Sequence, residues 1–166
     1  GYIACEFASI FNGLGSKVTQ LYRGEQVLRG FDDEVRHFVA AEMAKSGVDL
    51  RLNADVVDIR KTEEGLRVEL EGGSVVLADA VLYATGRKPN VQGLGLDTVG
   101  VVQGAQGEVI VSETYQTNVP GIYAVGDVTN RVQLTPVALG EAMVVVDQVC
   151  GPAAGKAART MGYDFI

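Results

Sequence analysis

The chain's clearest chemistry lies in an acid and a helix start eight residues apart. Gly121 and the apolar run Ile122–Val125 lead into Gly126 and Asp127. Val132-Gln133-Leu134 then precede Thr135-Pro136, which opens a long apolar segment. This pattern predicts a strand over 122–125, a glycine–aspartate turn, and a helix from Pro136 to Cys150. In open α/β sheets, ligands bind beyond the carboxyl ends of strands. There Gly126 would let a ligand approach the backbone, and Asp127 would accept hydrogen bonds from sugar-like hydroxyls. The helix start would offer free N–H groups and a partial positive charge, with Thr135 as N-cap and Pro136 as first helical residue. A group with a polyol and an electron-rich ring would suit all three. A plain strand, turn and capped core helix with no ligand is the competing reading.

A second group lies near the start. Gly1 and Ala4 match the second and third small positions of G-x-G-x-x-G/A. The first glycine and its feeding strand would precede residue 1, as expected of a chain cut from a longer one. In dinucleotide folds, an acid about 20 residues past the glycines reads the 2′-hydroxyl of NAD. Here Tyr22-Arg23 takes that place, with Arg29 six residues on. A carboxylate repels a 2′-phosphate, whereas a guanidinium binds it through two parallel hydrogen bonds. The pair therefore favours NADPH over NADH, the competing reading being two solvated loop arginines. A third group, Thr85-Gly86-Arg87, follows the apolar run Ala80–Ala84. Gly86 would permit close approach of a nucleotide, and Arg87 would face a phosphate.

The elements that must position these residues read as α/β. Ile3, Phe7, Ile10 and Leu14 fall at helical spacing over 2–14, with Gly13 and Gly15 marking the end. A strand is expected over 17–22. A helix follows over 31–46, capped by Asp32 and followed by Gly47, with Val35, Phe38, Val39 and Met43 as its apolar stripe. His37 on that helix reads as solvated. Strands over 49–52, 56–61, 66–70 and 74–77, with a tight turn at Gly72-Gly73, suggest an antiparallel meander beside a parallel sheet. Ala80–Ala84 reads as a buried parallel strand. A boundary is placed near Gly86, before a glycine-rich stretch with a turn element around 94–99. Short strands are expected over 109–111 and 114–117. No period is visible from Gly151 onward.

Composition narrows the classes. The 166 residues are 47% hydrophobic and 21% charged, with net charge −7. Arginines and lysines are scattered, without the basic stripe of a nucleic-acid binder. No apolar run approaches the roughly 20 residues of a membrane span, and no signal peptide opens the chain. Cys5 and Cys150 lack paired spacing and read as free buried thiols of a cytoplasmic protein. One His and two Cys supply no convincing metal site.

In order, these pieces resemble the pyridine nucleotide-disulfide oxidoreductases, and within them the glutathione reductases. The resemblance rests on Gly1-Tyr2-Ile3-Ala4 with Glu6-Phe7-Ala8, Phe11-Asn12-Gly13-Leu14-Gly15, and Arg23 with Leu28-Arg29-Gly30-Phe31-Asp32. It continues through Ala84-Thr85-Gly86-Arg87 with Pro89-Asn90, Gly121–Asp127, Leu134–Ala138 and Tyr163-Asp164-Phe165-Ile166. It implies a flavoenzyme passing a hydride from NADPH to FAD, then electrons to a reactive disulfide and on to glutathione disulfide. Tyr2 would cover the flavin until the nicotinamide displaces it. Glu6 would pair with a lysine not in this chain. Gly1, Ile3 and Ala4 would belong to the pyrophosphate turn, Arg23 and Arg29 to the 2′-phosphate site, and Gly86 with Arg87 to the nicotinamide-nucleotide site. Gly126 and Asp127 would bind the FAD ribityl and phosphate region. Gln133, Leu134 and Thr135 would lie at the flavin's edge.

The implied architecture is a Rossmann-like NAD(P)-binding domain over 1–86 with its antiparallel β-meander, and the second segment of a FAD-binding domain over 87–155. Residues 156–166 would link to an interface domain through which the complete enzyme forms a homodimer. Cys5 replaces the family's usual aliphatic residue and is assigned no redox role. The Cys-x4-Cys redox pair is absent, and His37 does not match the family's catalytic histidine, so this chain alone is expected to be inactive. Another disulfide or metal substrate, or a non-catalytic dinucleotide-binding module, are the alternatives.

Overall fold

The computed structural model describes residues 1–153 and 155–163. The chain divides into two compact units, the first spanning Gly1–Gly86 and the second beginning at Arg87.

The first unit opens with helix α1, Tyr2–Gly13. Gly15, at φ +93°, follows its end. Its buried face is not the expected stripe of large residues. Cys5 and Ala8 are buried, whereas Ile3, Phe7, Ile10 and Leu14 are exposed, Leu14 by 77%. Small side chains let the helix lie close against β1, Thr19–Leu21, and among the described residues the sheet there has two strands. One narrow face of α1 is all that such a sheet can cover. β1 pairs in parallel with β2, Asp49–Arg51, with Thr19 opposite Asp49 and Leu21 opposite Arg51. Within β2, the Arg51 guanidinium bonds to Asp49 and holds its carboxyl below the usual carboxylate range.

Helix α2, Asp33–Lys45, connects the two strands. Asp32 caps it as expected, its carboxylate accepting from the N–H groups of Glu34 and Val35 at 3.0 and 3.2 Å. Of the expected stripe, Met43 is buried and Val39 packs on the core, while Val35 and Phe38 are exposed. The core collects Cys5, Ala8, Val27, Leu28, Met43 and Val48. The meander follows as expected: β3 (Val56–Thr62), β4 (Gly65–Leu70) and β5 (Val75–Ala78) pair antiparallel in that order. Val68 and Leu70 are buried, and the turn passes through Gly72 and Gly73, both at positive φ.

The run 80–84 is not a strand. Leu82 and Tyr83 are 59% and 67% exposed. An apolar run becomes a strand only when a neighbour completes its hydrogen-bond ladder, and among the described residues none does.

The second unit has less regular structure than expected. Among the described residues, the segments 109–111, 114–117 and 122–125 form no ladder. Two isolated antiparallel bridges, Gln103 with Val109 and Gln116 with Tyr123, stand in their place. Turns fill 92–100, where a turn element was expected. Gly126–Thr129 is a single 3-10 turn ended by Asn130 in the left-handed region. Helix α3, Thr135–Cys150, follows, and Gly151 at φ +78° ends it. Cys150 is exposed, correcting its expected burial, and both cysteines are free. Of the motif Tyr163–Ile166, only Tyr163 lies within the described residues.

Candidate cofactor-binding residues

In the first unit, five residues separate α1 from β1, and the two elements pack together. So short a connection makes them antiparallel, which sets Gly1 at the end of α1 nearest the carboxyl end of β1. Ligand sites of α/β folds form at that end. Among the described residues, no side chain caps the start of α1, and its first turn holds no acid. Its first N–H groups are therefore free to bind an anion. Gly1 is exposed, and a Cβ there would meet nothing within 4 Å. Tyr2, Ile3 and Glu6 are exposed beside it, and Ala4 is half-buried.

Arg23 and Arg29 lie on the loop from β1 to α2. Both are exposed, and neither forms an ion pair among the described residues. The loop beneath them is anchored. Arg36 of α2 donates through Nε to the Val27 carbonyl at 2.9 Å and through Nη2 to the Gln26 carbonyl at 3.1 Å. Val27 is fully buried. Gln26 Nε2 lies 2.9 Å from Nδ1 of exposed His37. Sequence reasoning missed Arg36, because its partners are backbone carbonyls nine and ten residues away. Gly86 closes the unit at φ +112°, exposed and in open space.

In the second unit, Arg87 is engaged by a carboxylate. Its Nε lies 3.1 Å from Asp127 Oδ2, both side chains about half-exposed. Gly126 does not present an open approach to its own backbone. It is buried at φ +74°, and a Cβ would come within 3.2 Å of Ala138 Cβ on α3. Its left-handed backbone, which glycine adopts without strain, lets the turn press against the helix. Gly126 N donates to Glu141 Oε2 at 2.6 Å, and Thr129 Oγ1 donates to the Gly126 carbonyl at 2.9 Å. The Asp127 carboxylate remains about half exposed beside Arg87.

The helix start also differs from expectation. Leu134, extended at φ −130° and ψ 135°, is the N-cap, and exposed Thr135 is already helical. Assignments of helix ends commonly differ by a residue, but among the described residues no side chain caps α3. The N–H groups of Thr135 and Val137 are thus left without a side-chain acceptor, and Pro136 has none to give. Gln133 Nε2 donates to Asn130 Oδ1 at 3.0 Å, steadying the approach to the helix.

Sequence reading also missed a buried polar chain behind the turn. Glu141 is 0% exposed. Its Oε1 accepts from Tyr163 Oη at 2.5 Å, and Tyr115 Oη lies 2.8 Å from Tyr163 Oη. Tyr163 gives its one proton to the carboxylate, so Tyr115 donates to Tyr163. Burial, then the hydrogen bond to Glu141, pushes the Tyr163 hydroxyl well above the ordinary tyrosine range. The signal that would have found this cluster was an acid inside the apolar run 137–149. Among the described residues no cluster of His, Cys, Asp or Glu is placed to hold a metal ion, and no helix is long and apolar enough to cross a membrane.

The donor sets fit two different groups. An open, uncapped helix start beside two exposed arginines suits a phosphorylated dinucleotide. An accessible carboxylate close in sequence to a second uncapped helix start suits a polyol-bearing ring with negative charge to stabilise.

Residues 1–142 match the family described as pyridine nucleotide-disulphide oxidoreductase. Glutathione reductase of Burkholderia cepacia is 56% identical over 160 residues, 96% of this chain and 35% of that protein. Trypanothione reductase of Trypanosoma congolense is 41% identical over 96% of this chain and 33% of that protein. Among solved structures, the HOCl-induced flavoprotein disulfide reductase RclA of Escherichia coli superposes with a TM-score of 0.86 at 33% identity, over 96% of this chain and 36% of RclA. The chain thus spans about a third of the length of these relatives. The expected cofactors, FAD and NADPH, are those of this family of flavoproteins and pyridine nucleotide enzymes. Sequence, fold and comparison together place the chain in the pyridine nucleotide-disulfide oxidoreductase family.

Proposed function

We propose that this chain supplies the NADPH site and the second part of the FAD site of a cytoplasmic, homodimeric flavoprotein that reduces glutathione disulfide. One observation carries the coenzyme choice. Arg23 and Arg29 stand exposed on an anchored loop at the carboxyl end of β1, with no carboxylate paired to them among the described residues. A 2′-phosphate would fill that place. The uncapped start of α1, at Gly1, Ile3 and Ala4, would take the pyrophosphate. Gly86 would admit the nicotinamide nucleotide, Tyr2 would cover the flavin face, and Glu6 would pair with a lysine from outside this chain.

When bound, FAD would carry electrons from NADPH to a disulfide. Asp127 would accept hydrogen bonds from its polyol, and Arg87, now on that carboxylate, would hold the acid in place or turn to a phosphate. Leu134 and Thr135 would border the ring, with Gln133 steadying their approach. The start of α3 would stabilise negative charge there by about 1 kcal/mol. Residues 1–86 thus serve NADPH and residues 87–155 serve FAD in this reading, with 156–166 as the link onward.

Glutathione is favoured as substrate because the relative at 56% identity bears that activity in its name. A second reading, another disulfide or a metal ion as acceptor, draws on the trypanothione reductases and on RclA, which has been solved as a Cu(II) complex. Full-length enzyme containing this chain should be assayed for NADPH oxidation with glutathione disulfide, trypanothione disulfide and Cu(II). The highest kcat/KM is expected with glutathione disulfide. A higher value with either other acceptor overturns the substrate assignment.

A further inference from the structure

We propose that Glu141 is a positioning residue for the flavin-side turn, holding Asp127 in register with the start of α3, and that Tyr163 completes this clamp; this rests on the reading of Asp127 as a FAD contact. The two oxygens of a fully buried carboxylate do different work. Oε2 accepts the N–H of Gly126, the residue before Asp127, at 2.6 Å. Oε1 accepts the hydroxyl of Tyr163 at 2.5 Å. Both oxygens are therefore engaged, as a buried carboxylate requires. Glu141 and Ala138 lie on the side of α3 that meets the turn. Ala138 packs against the Gly126 backbone, and Glu141 ties the same backbone down. The direction in which Asp127 leaves the turn is fixed relative to α3 by these two contacts.

The far end of the clamp is also held. Tyr115 is 1% exposed and sits at φ +63°, a costly backbone for a bulky residue. It is kept there from several sides. Its N–H donates to the Ser112 carbonyl at 3.1 Å, its carbonyl accepts from Ala124 N at 3.0 Å, and the Arg131 guanidinium stacks 5.2 Å from its ring centre. Its hydroxyl donates to Tyr163. The strained residue thus presents its hydroxyl to the tyrosine that engages Glu141. A carboxylate bonded only for stability would need neither the glycine N–H beside the proposed ligand acid nor this supported relay.

The test uses full-length holoenzyme carrying Glu141→Ala, Glu141→Gln, Tyr163→Phe or Asp127→Asn. FAD is removed, and its dissociation constant on rebinding is measured by flavin fluorescence well below each variant's Tm, together with the visible spectrum of bound flavin. A hydrogen bond to a charged group is worth about 1.5–3 kcal/mol, so Glu141→Ala is expected to weaken FAD binding about ten- to a hundredfold. It should also shift the flavin spectrum. Glu141→Gln keeps an acceptor for Gly126 N–H and should lie within about threefold of wild type, a rescue the clamp requires. If Glu141→Ala does not fold, Tyr163→Phe decides: weaker FAD binding supports the clamp, and unchanged binding overturns it. Wild-type FAD affinity and spectrum in a folded Glu141→Ala variant, with Asp127→Asn still weakening FAD, overturn the clamp alone. Unchanged FAD affinity in Asp127→Asn overturns the underlying reading of Asp127.

Discussion

Replacing Arg23 by Glu together with Arg29 by Ala is the sharpest test of the coenzyme site. Both side chains are exposed, while the loop beneath them is pinned by Arg36 and by buried Val27. The double variant should therefore leave the fold intact. Each arginine would contribute one set of charge-assisted hydrogen bonds to a 2′-phosphate. At an exposed position the low end of the usual range applies, about 1.5 kcal/mol each. Two such sets amount to about 3 kcal/mol, or two decades in affinity at about 1.4 kcal/mol per decade. The new carboxylate adds repulsion, so a loss of at least about a hundredfold in kcat/KM for NADPH is expected. The contacts lie far from the reacting ring and act equally in ground and transition states. The loss should therefore appear in KM, with kcat largely kept. NADH lacks the phosphate, and its kcat/KM should change by less than about threefold, since no charged contact is removed. The assay is steady-state coenzyme oxidation by the full-length enzyme at two ionic strengths. High salt should shrink the wild-type preference for NADPH, because exposed charge pairs are screened. Equal losses for NADPH and NADH, or a loss confined to kcat, would refute the reasoning.

Two further outcomes concern the fold. Asp32→Ala removes the acceptor for two N–H groups at the start of α2 and should lower stability by about 1 kcal/mol in thermal or urea unfolding; an unchanged Tm would show that the cap contributes nothing. Tyr163 keeps its proton above the ordinary tyrosine value of 10.0, so its contribution is complete below that pH and is lost as pH rises toward its raised folded value. Stability should therefore fall more steeply above pH 10.0 in wild type than in Tyr163→Phe, and parallel falls would contradict the buried relay.

What was legible in the sequence is what local chemistry decides. Asp32 announced its cap, and Gly72-Gly73 announced a hairpin turn, because each acts on backbone within a few residues. The candidate ligand residues rest on the same kind of local reading. Arg23, Asp127 and the start of α3 were singled out as candidates by their places relative to expected strand ends and helix starts. What failed depended on partners. The stripe Ile3, Phe7, Ile10 and Leu14 has helical period, yet burial of a face is decided by what packs on it, and the core here takes up Cys5 and Ala8. The runs 80–84 and 122–125 are apolar enough for strands, but a strand is a relation between two chains of hydrogen bonds. No composition supplies the second.

Helix α3 shows the same limit from the other side. Its buried positions run Val137, Glu141, Val144, Asp147, a regular helical stripe with acids at two of four places. Read by period alone, it is a core helix with two faults, since a buried carboxylate without partners costs several kcal/mol. Each acid is instead satisfied from outside the helix. Glu141 takes the N–H of Gly126 and the hydroxyl of Tyr163, and Asp147 Oδ2 takes the N–H of Arg159 at 2.8 Å. The acids are therefore docking points: one fastens the turn that carries Asp127, and both fasten the segment that follows the helix. Because the partners of Glu141 lie 15 and 22 residues away in opposite directions, no local pattern contains them. An acid where helical period demands an apolar residue is nevertheless visible in a sequence. Its informative content is that some distant donor must exist, and here that donor is the backbone beside the proposed flavin contact.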